Sequence, residues 1–182
     1  AGVIAGDAVA KASPDGYLLL MGNQGLLSIR PQLAKLPFDP VKDLAPVVLM
    51  VTVPNILIVH PSVPAQTLPE LVAYAKANPG KLSFGSSGPN TTHHLAGEFL
   101  KIQAGIDMLH IPYRGGNPAM TDLLAGQIQF YIAPGAALLQ YVATGRLRVV
   151  AVTGEKRSRE LPEVSTVNEL VPGYVADFWY GL

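Results

Sequence analysis

The sequence predicts an α/β protein built on an open, mostly parallel sheet. Short apolar runs bounded by turn residues alternate along the chain with segments whose apolar residues recur at helical spacing. Two of the connections from a strand to the next helix are also rich in Gly, Ser or Asn. Because parallel strands need long crossover connections, usually helices, this alternation favours parallel pairing.

Seven short apolar runs are predicted to be strands because turn residues bound each of them. In chain order they cover residues 17–21, 45–52, 55–60, 81–84, 108–111, 128–132 and 148–153. The first follows the turn Pro14-Asp15-Gly16 and is expected to be a parallel strand covered on both faces.

Helices are predicted between these strands from the spacing of their apolar residues and from their capping signals. The segment 7–12 is predicted to be the end of a helix. Further helices are predicted at 26–33, at 68–77, up to about residue 103, from Pro118 to Gly126, and at 135–143. Thr67 and Glu70 have the spacing of a capping box. Asn117 is expected to be an N-cap, with Pro118 at the first helical position.

The composition excludes several classes of protein. Of the 182 residues 49% are apolar, only 14% are charged, and the net charge is zero, which argues against a nucleic-acid partner. The chain has no cysteine, so disulfides, thiol chemistry and thiolate zinc sites are excluded. No apolar run reaches eighteen residues, so we expect no membrane span. We expect a monomer without metal or cofactor, and the lack of a recognisable signal peptide suggests a mature or truncated piece.

The segment 83–95 is the most informative part of the chain. A Gly- and Ser-rich run meets two threonines where a helix is predicted to begin, and such hydroxyls and first-turn amides can hold an anion. The candidate residues are Ser86, Ser87, Gly88, Asn90, Thr91, Thr92 and His93. Ordinary helix capping by a threonine, and packing or solvent exposure of His93, remain open. No acid/base pair or metal cluster accompanies them, so we expect binding of a carboxylate or similar anion without chemistry.

A second loop, at 112–118, repeats the passage from strand to helix. In an open α/β sheet ligands gather at the carboxyl ends of the strands, so both loops are expected on one side. The amides of Gly115 and Gly116 are candidate donors to the anion. Arg114 either clamps a second carboxylate or forms a salt bridge outside the cleft. Asn23, after the strand predicted at 17–21, either faces the cleft or only forms a turn.

At this point the chain resembles the Bug (TctC-like) extracytoplasmic solute receptors of tripartite tricarboxylate transport systems. The motifs that carry the resemblance are, in order, Pro14-Asp15-Gly16-Tyr17, Gly85-Ser86-Ser87-Gly88, Thr92-His93-His94-Leu95-Ala96-Gly97-Glu98, Ile111-Pro112-Tyr113-Arg114-Gly115-Gly116-Asn117-Pro118-Ala119, Leu123-Leu124-Ala125-Gly126-Gln127, Gly145-Arg146-Leu147-Arg148, Val152-Thr153 through Arg157-Ser158 to Leu161-Pro162, and Trp179-Tyr180-Gly181-Leu182. They cover essentially the whole chain.

The resemblance implies a periplasmic binding protein with a Venus-flytrap fold, whose two α/β domains close around a small carboxylate. Ligands of such receptors are di- or tricarboxylates, amino acids or aromatic acids, and their partners are membrane transporter subunits. It also implies domains at 1–54 and 55–172, with a return crossover at 173–182, and a fragment whose first domain lacks its opening strand and Gly-rich loop. Pro134 stands where many family members carry a polar residue, and this change could alter which ligand tail is accepted.

Two other functions are weighed against a transport receptor. A serine hydrolase would use Ser86 or Ser87 as nucleophile and His93 as base, but no Gly-x-Ser-x-Gly elbow and no orienting acid are present. A sensor would report its liganded state to a membrane kinase, and the sequence does not separate sensing from uptake. His94 is expected to be structural, and His110 is expected to be an isolated strand-end residue.

Overall fold

The computed structural model describes residues 2–135 and 138–182, which form two compact units. Unit 1 comprises residues 2–53 with Phe178–Leu182, and unit 2 comprises Pro54–Asp177. The sequence placed the domain boundaries after residues 54 and 172, whereas the two units divide after Val53 and Asp177. The helix predicted at 135–143 includes residues 136–137, which lie outside the described residues.

The strands and helices have the following bounds. The strands are β1 Gly22–Asn23, β2 Leu49–Val53, β3 Asn55–Val59, β4 Ser83–Ser86, β5 Leu109–Pro112, β6 Phe130–Pro134, β7 Arg148–Val152 and β8 Phe178–Gly181. The helices are α1 Val3–Ala10, a π-helical turn Gly25–Ile29 that continues into α2 Arg30–Leu33, α3 Leu68–Ala77, α4 Thr92–Ala104, α5 Gly116–Leu124, α6 Leu139–Ala143 and α7 Val167–Leu170. None of the helices in the described ranges is long and apolar enough to cross a membrane.

The prediction of a buried strand at 17–21 is wrong. Unit 1 contains a three-stranded antiparallel sheet in the order β1-β8-β2, and residues 17–21 lie outside it. Tyr17 is 93% exposed, and Leu18 and Leu19 are more than half exposed. An apolar run indicates which residues favour burial, but burial also needs elements packed on both faces, and unit 1 does not supply them for this segment.

Unit 2 is built on a five-stranded sheet in the order β5-β4-β6-β3-β7. β4 is parallel to both of its neighbours, whereas β3 pairs antiparallel with both β6 and β7. Four strands therefore run in one direction and only β3 opposes them, so the prediction of a mostly parallel α/β sheet is confirmed here. The carboxyl ends of β4, β5 and β6 consequently meet at one edge of the sheet.

Helices cover the two faces of this sheet and separate its core into two clusters. On β3, Leu57 and Val59 pack into one cluster, whereas Ile56 and Ile58 pack into the other, as expected for side chains that alternate along a strand. α3 and α4 contribute to the first cluster and α5 to the second. α4 and α5 therefore approach the carboxyl edge of the sheet from opposite faces.

Candidate functional site

The connection from β4 to α4 is held by the side chain of Ser86. This residue is fully buried, and its Oγ lies 2.7 Å from His110 Nε2 and 3.0 Å from the carbonyl oxygen of Gly88. The same Oγ accepts a hydrogen bond from the Gly88 amide at 3.2 Å. Since its hydrogen bonds all go to the protein, the Ser86 side chain shapes the loop rather than presenting a hydroxyl to a ligand.

The loop then makes a tight turn that ends in the cap of α4. Gly88 has φ 132° and Asn90 has φ 59°, and the Asn90 amide donates to His94 Nδ1 at 3.1 Å. Thr91 is the N-cap residue: its Oγ1 accepts from the His94 amide at 3.5 Å and donates to the Gly88 carbonyl at 2.7 Å. Of the two predicted threonines, Thr91 therefore performs the capping, and the half-buried Thr92 begins the helix.

His93 lies in the first turn of α4 and is largely enclosed. Its Nδ1 is 2.7 Å from Ser87 Oγ, while its Nε2 is buried and makes no hydrogen bond within the described residues. Burial lowers the pKa of His93 from 6.5 to about 4, so the ring is neutral at physiological pH. Its ring lies 5.7 Å from that of Tyr131, measured between centroids.

The start of α5 lies beside Tyr131. Gly115 is the N-cap residue with φ 123°, a conformation that disfavours other residues, so the helix begins at Gly116. The prediction that Asn117 is the N-cap is wrong, because the turn already occurs at Gly115. A Cβ on Gly116 would lie 3.3 Å from the Tyr131 hydroxyl oxygen. Arg114 is exposed and forms no salt bridge with any described residue.

The two loops lie on the same side of the sheet, as the sequence predicted, and they also contact each other. The Tyr113 amide donates to the Ser86 carbonyl at 3.0 Å, and a Cβ on Gly88 would lie 3.4 Å from the Tyr113 carbonyl oxygen. The amides at the start of each helix make no hydrogen bond within the described residues, namely those of Thr92, His93, Gly115 and Gly116. Two helix N-termini with free donors therefore open at one edge of the sheet.

Two further predicted site residues lie apart from these loops in the chain. Pro134 is the half-buried last residue of β6, so it lies at the same carboxyl edge and pairs in register with Asn55. Asn23 belongs to unit 1, where its Oδ1 accepts a hydrogen bond from the Leu26 amide at 3.1 Å. Within unit 1, Asn23 thus stabilises the start of a helical segment.

Sequence reasoning missed two residues of this region. Tyr131 is 2% exposed, and its hydroxyl makes no hydrogen bond within the described part of the chain. A phenol in the middle of the apolar run 130–133 is a usable signal, since a buried tyrosine hydroxyl normally has a partner. His110 is not isolated as predicted: it contacts Ser86 and stacks on His94, with ring centroids 4.0 Å apart. Only the register of β4 against β5 brings these residues together.

A separate cavity of about 700 Å³ lies elsewhere in unit 2. Its lining includes Pro61, Arg148 and Leu161 and none of the predicted site residues. Arg148 donates to the carbonyl oxygens of Val63 and Ala65, so its guanidinium is already engaged by the protein. The anion-binding features therefore lie at the strand ends and not in this cavity.

The arrangement suits binding better than catalysis. Ser87 and His93 have the spacing of a nucleophile and its base, but a histidine with a pKa of about 4 is a weak base near neutral pH. No acid orients the free Nε2 of His93 within the described residues. No group of three His, Cys, Asp or Glu residues in the described ranges could hold a metal ion. The helix starts at this edge of the sheet present a set of uncharged hydrogen-bond donors.

The fold and this edge define the class of α/β binding proteins, and solved structures support that assignment. The structure of Rpa4515 from R. palustris with adipate matches with a TM-score of 0.87 at 33% identity, over 99% of this chain and 61% of that chain. The periplasmic binding protein BugD matches with a TM-score of 0.85 at 35% identity, over 99% of this chain and 60% of that one.

Curated relatives show the same pattern of partial coverage. The UPF0065 protein of the tcbD-tcbE intergenic region of Pseudomonas sp. (strain P51) is 38% identical over all of this chain and 54% of its own length. BugT of Bordetella pertussis is 34% identical over all of this chain and 56% of its own length. The chain thus spans about half the length of these relatives, consistent with the predicted fragment.

The family model described as the tripartite tricarboxylate transporter family receptor matches residues 1–182. The chain therefore belongs to the tripartite tricarboxylate transporter receptor family, and the predicted resemblance is confirmed. The proteins it resembles are receptors and binding proteins, not enzymes.

Proposed function

We propose that this protein is a periplasmic receptor that captures a small carboxylate and delivers it to the membrane subunits of a tripartite tricarboxylate-type transporter. Unit 2 contributes the uncharged donors at the starts of α4 and α5. The ligand is held and released without chemical change.

One observation carries the proposal: two helix N-termini open at the same strand ends with their first amides free. The amides of Thr92, His93, Gly115 and Gly116 make no hydrogen bond within the described residues. Each helix N-terminus favours an anion by about 0.3–1 kcal/mol, and by up to about 2 kcal/mol where the site is partly buried. Hydrogen bonds from such donors to a charged group contribute about 1.5–3 kcal/mol each.

The relatives support the chemical class of the ligand. The structure of Rpa4515 contains adipate, a dicarboxylate, and that protein is 33% identical to this chain. The exposed guanidinium of Arg114, in the loop between β5 and α5, is free to pair with a second carboxylate. We therefore place aliphatic dicarboxylates first among the candidate ligands.

Thermal unfolding of the intact protein tests this proposal against a panel of dicarboxylates and their uncharged diamides. A ligand present at one hundred times its Kd stabilises the folded state by about 2.7 kcal/mol, so a micromolar ligand at submillimolar concentration raises Tm clearly. A rise with acids only, and recovery of the ligand unchanged, is the expected result. Equal shifts with acids and diamides would contradict anion binding.

A double variant locates the binding loop. Ser87→Ala with Thr92→Ala removes two hydroxyls at the start of α4, and we expect affinity to fall roughly tenfold or more with little loss of stability. The matched control is Ser62→Ala with Thr144→Ala, which removes two exposed hydroxyls outside both loops. Unchanged affinity in the loop variant, measured by calorimetry, would remove this loop from the site.

A further inference from the structure

Tyr131 and His93 each keep a polar atom that no described protein group satisfies. Tyr131 is 2% exposed, yet its hydroxyl makes no hydrogen bond within the described residues. His93 Nε2 is buried and equally without a hydrogen bond. An unsatisfied buried polar group costs about 1–3 kcal/mol, and native proteins contain few of them. His93 Nε2 is such a buried atom, and the neighbouring Tyr131 hydroxyl, which is not fully enclosed, also lacks a hydrogen-bond partner in the described residues.

The Tyr131 hydroxyl borders the start of α5, and the His93 ring lies next to the Tyr131 ring. The rings of His93 and Tyr131 have centroids 5.7 Å apart and are tilted by 42°, and the Tyr131 hydroxyl lies 3.3 Å from where a Cβ on Gly116 would be. Because Gly116 has no side chain, the space beside the hydroxyl stays open to a small group. The free amide of Gly116 belongs to the same place.

We infer that Tyr131 and His93 form a specificity-determining pair of uncharged donors, which together bind a carboxylate oxygen of the ligand beside Gly116. The inference rests on the proposed function and adds to it the side chains that recognise the ligand. The pair lies on β6 and α4, so it joins the free amides of both helix starts into one binding site.

The inference requires one of the two neutral tautomers of His93. In that tautomer the Ser87 hydroxyl, whose Oγ lies 2.7 Å from His93 Nδ1, donates its proton to Nδ1. A neutral imidazole that accepts at Nδ1 carries its own proton at Nε2 and donates from that atom. The Tyr131 hydroxyl is likewise protonated, because burial raises its pKa to about 12. In this tautomer both groups donate at neutral pH.

Donors of this kind select for an ionised oxygen acceptor. The ligand's carboxylate accepts hydrogen bonds only, and it matches two uncharged donors plus helix amides without a buried protein cation. An amide at this place brings its own N–H donors. These face the donors of Tyr131 and His93 and find no acceptor among them. The pair therefore discriminates between an acid and its amide by hydrogen bonding rather than by net charge.

Tyr131→Phe tests the inference because it removes one oxygen atom and little else. The intact protein and the variant are compared by titration calorimetry with adipate, and by thermal unfolding without ligand. We expect the Kd for adipate to rise roughly ten- to hundredfold. We also expect the ligand-free Tm to change little, because the Tyr131 hydroxyl makes no hydrogen bond within the described residues. Tyr174→Phe is the matched control, since the Tyr174 hydroxyl donates to the Ala96 carbonyl at 2.9 Å in the core. It should lower Tm and leave affinity unchanged.

The possible outcomes separate this inference from the proposed function. Adipate binding that is equally tight in Tyr131→Phe and in the unchanged protein overturns the inference and leaves the proposed function intact. A loss of ligand-free stability in Tyr131→Phe as large as in Tyr174→Phe would mean that the hydroxyl has a structural role, and it also overturns the inference. If no dicarboxylate binds the unchanged protein, both fall together.

Discussion

Acidification should destabilise this protein through the buried His93. His93 is buried and its pKa is lowered from 6.5 to about 4, so in the folded state it stays neutral where an exposed histidine becomes charged. Between these two values the unfolded chain binds the proton more readily than the folded protein does. The stability that His93 contributes is therefore fully present above pH 6.5 and is lost as the pH falls towards 4.

The expected size follows from the two pKa values. Integrating proton binding between a pKa of 6.5 in the unfolded chain and about 4 in the folded protein gives a loss of about 2 kcal/mol at pH 5. At pH 4 the loss reaches about 3 kcal/mol. Since small domains are stable by only about 5–15 kcal/mol, such a loss is readily measured.

Urea unfolding at pH 7 and pH 5 measures this loss, and the variant His93→Asn isolates it. Asparagine keeps a hydrogen-bonding group near Ser87 but does not titrate, so the variant should lose about 2 kcal/mol less stability than the unchanged protein over this interval. All other titrating groups are common to both proteins and cancel in the comparison. If the two proteins lose the same stability between pH 7 and pH 5, burial does not lower the pKa of His93 as expected.

Two further predictions concern packing in unit 2. Gly97→Ala should destabilise the fold, because the new Cβ would lie 2.3 Å from Cε2 of the fully buried Phe84. We expect the cost of overpacking, about 1–3 kcal/mol, to exceed the gain in helix propensity. Urea unfolding measures the difference in stability. Asn55→Ala should cost about 1 kcal/mol, because it removes the partly buried hydrogen bond from Asn55 Nδ2 to the Ala176 carbonyl at 2.7 Å. A urea midpoint equal to that of the unchanged protein would contradict this.

Local patterns were sufficient to predict much of unit 2. Thr67 caps α3 as predicted, since its hydroxyl accepts from the Glu70 amide, although the Glu70 carboxylate accepts from Gln66 rather than from Thr67. The two loops after β4 and β5 also lie on the same side of the sheet, as predicted. These features depend on residues that are close in sequence or on the general geometry of parallel sheets, and both can be read from spacing.

Features that depend on strand order and register could not be predicted from the sequence. The sequence gives no sign that β3 inserts antiparallel between β6 and β7, because a fully apolar run of five residues indicates burial but not direction. The contact of His110 with Ser86 depends in the same way on the register of β4 against β5. Tyr131 reaches the candidate site only because β6 pairs with β4.

The two adjacent serines illustrate why a site of this kind must be read from the strand as well as from the motif. Successive side chains of a strand point to opposite faces, so Ser86 shares a face with Phe84, and the ring of His110 stacks on Phe84 while its Nε2 contacts Ser86. Ser87 points the other way, towards His93. From the sequence, the Ser86 and Ser87 hydroxyls are equal candidates for ligand binding. In the structure, the hydrogen bonds of the Ser86 hydroxyl all lie within the protein and stabilise the loop. Ser87 instead contacts His93 at the candidate site. The replacement of Ser86 should therefore affect folding before binding, and that of Ser87 should affect binding before folding.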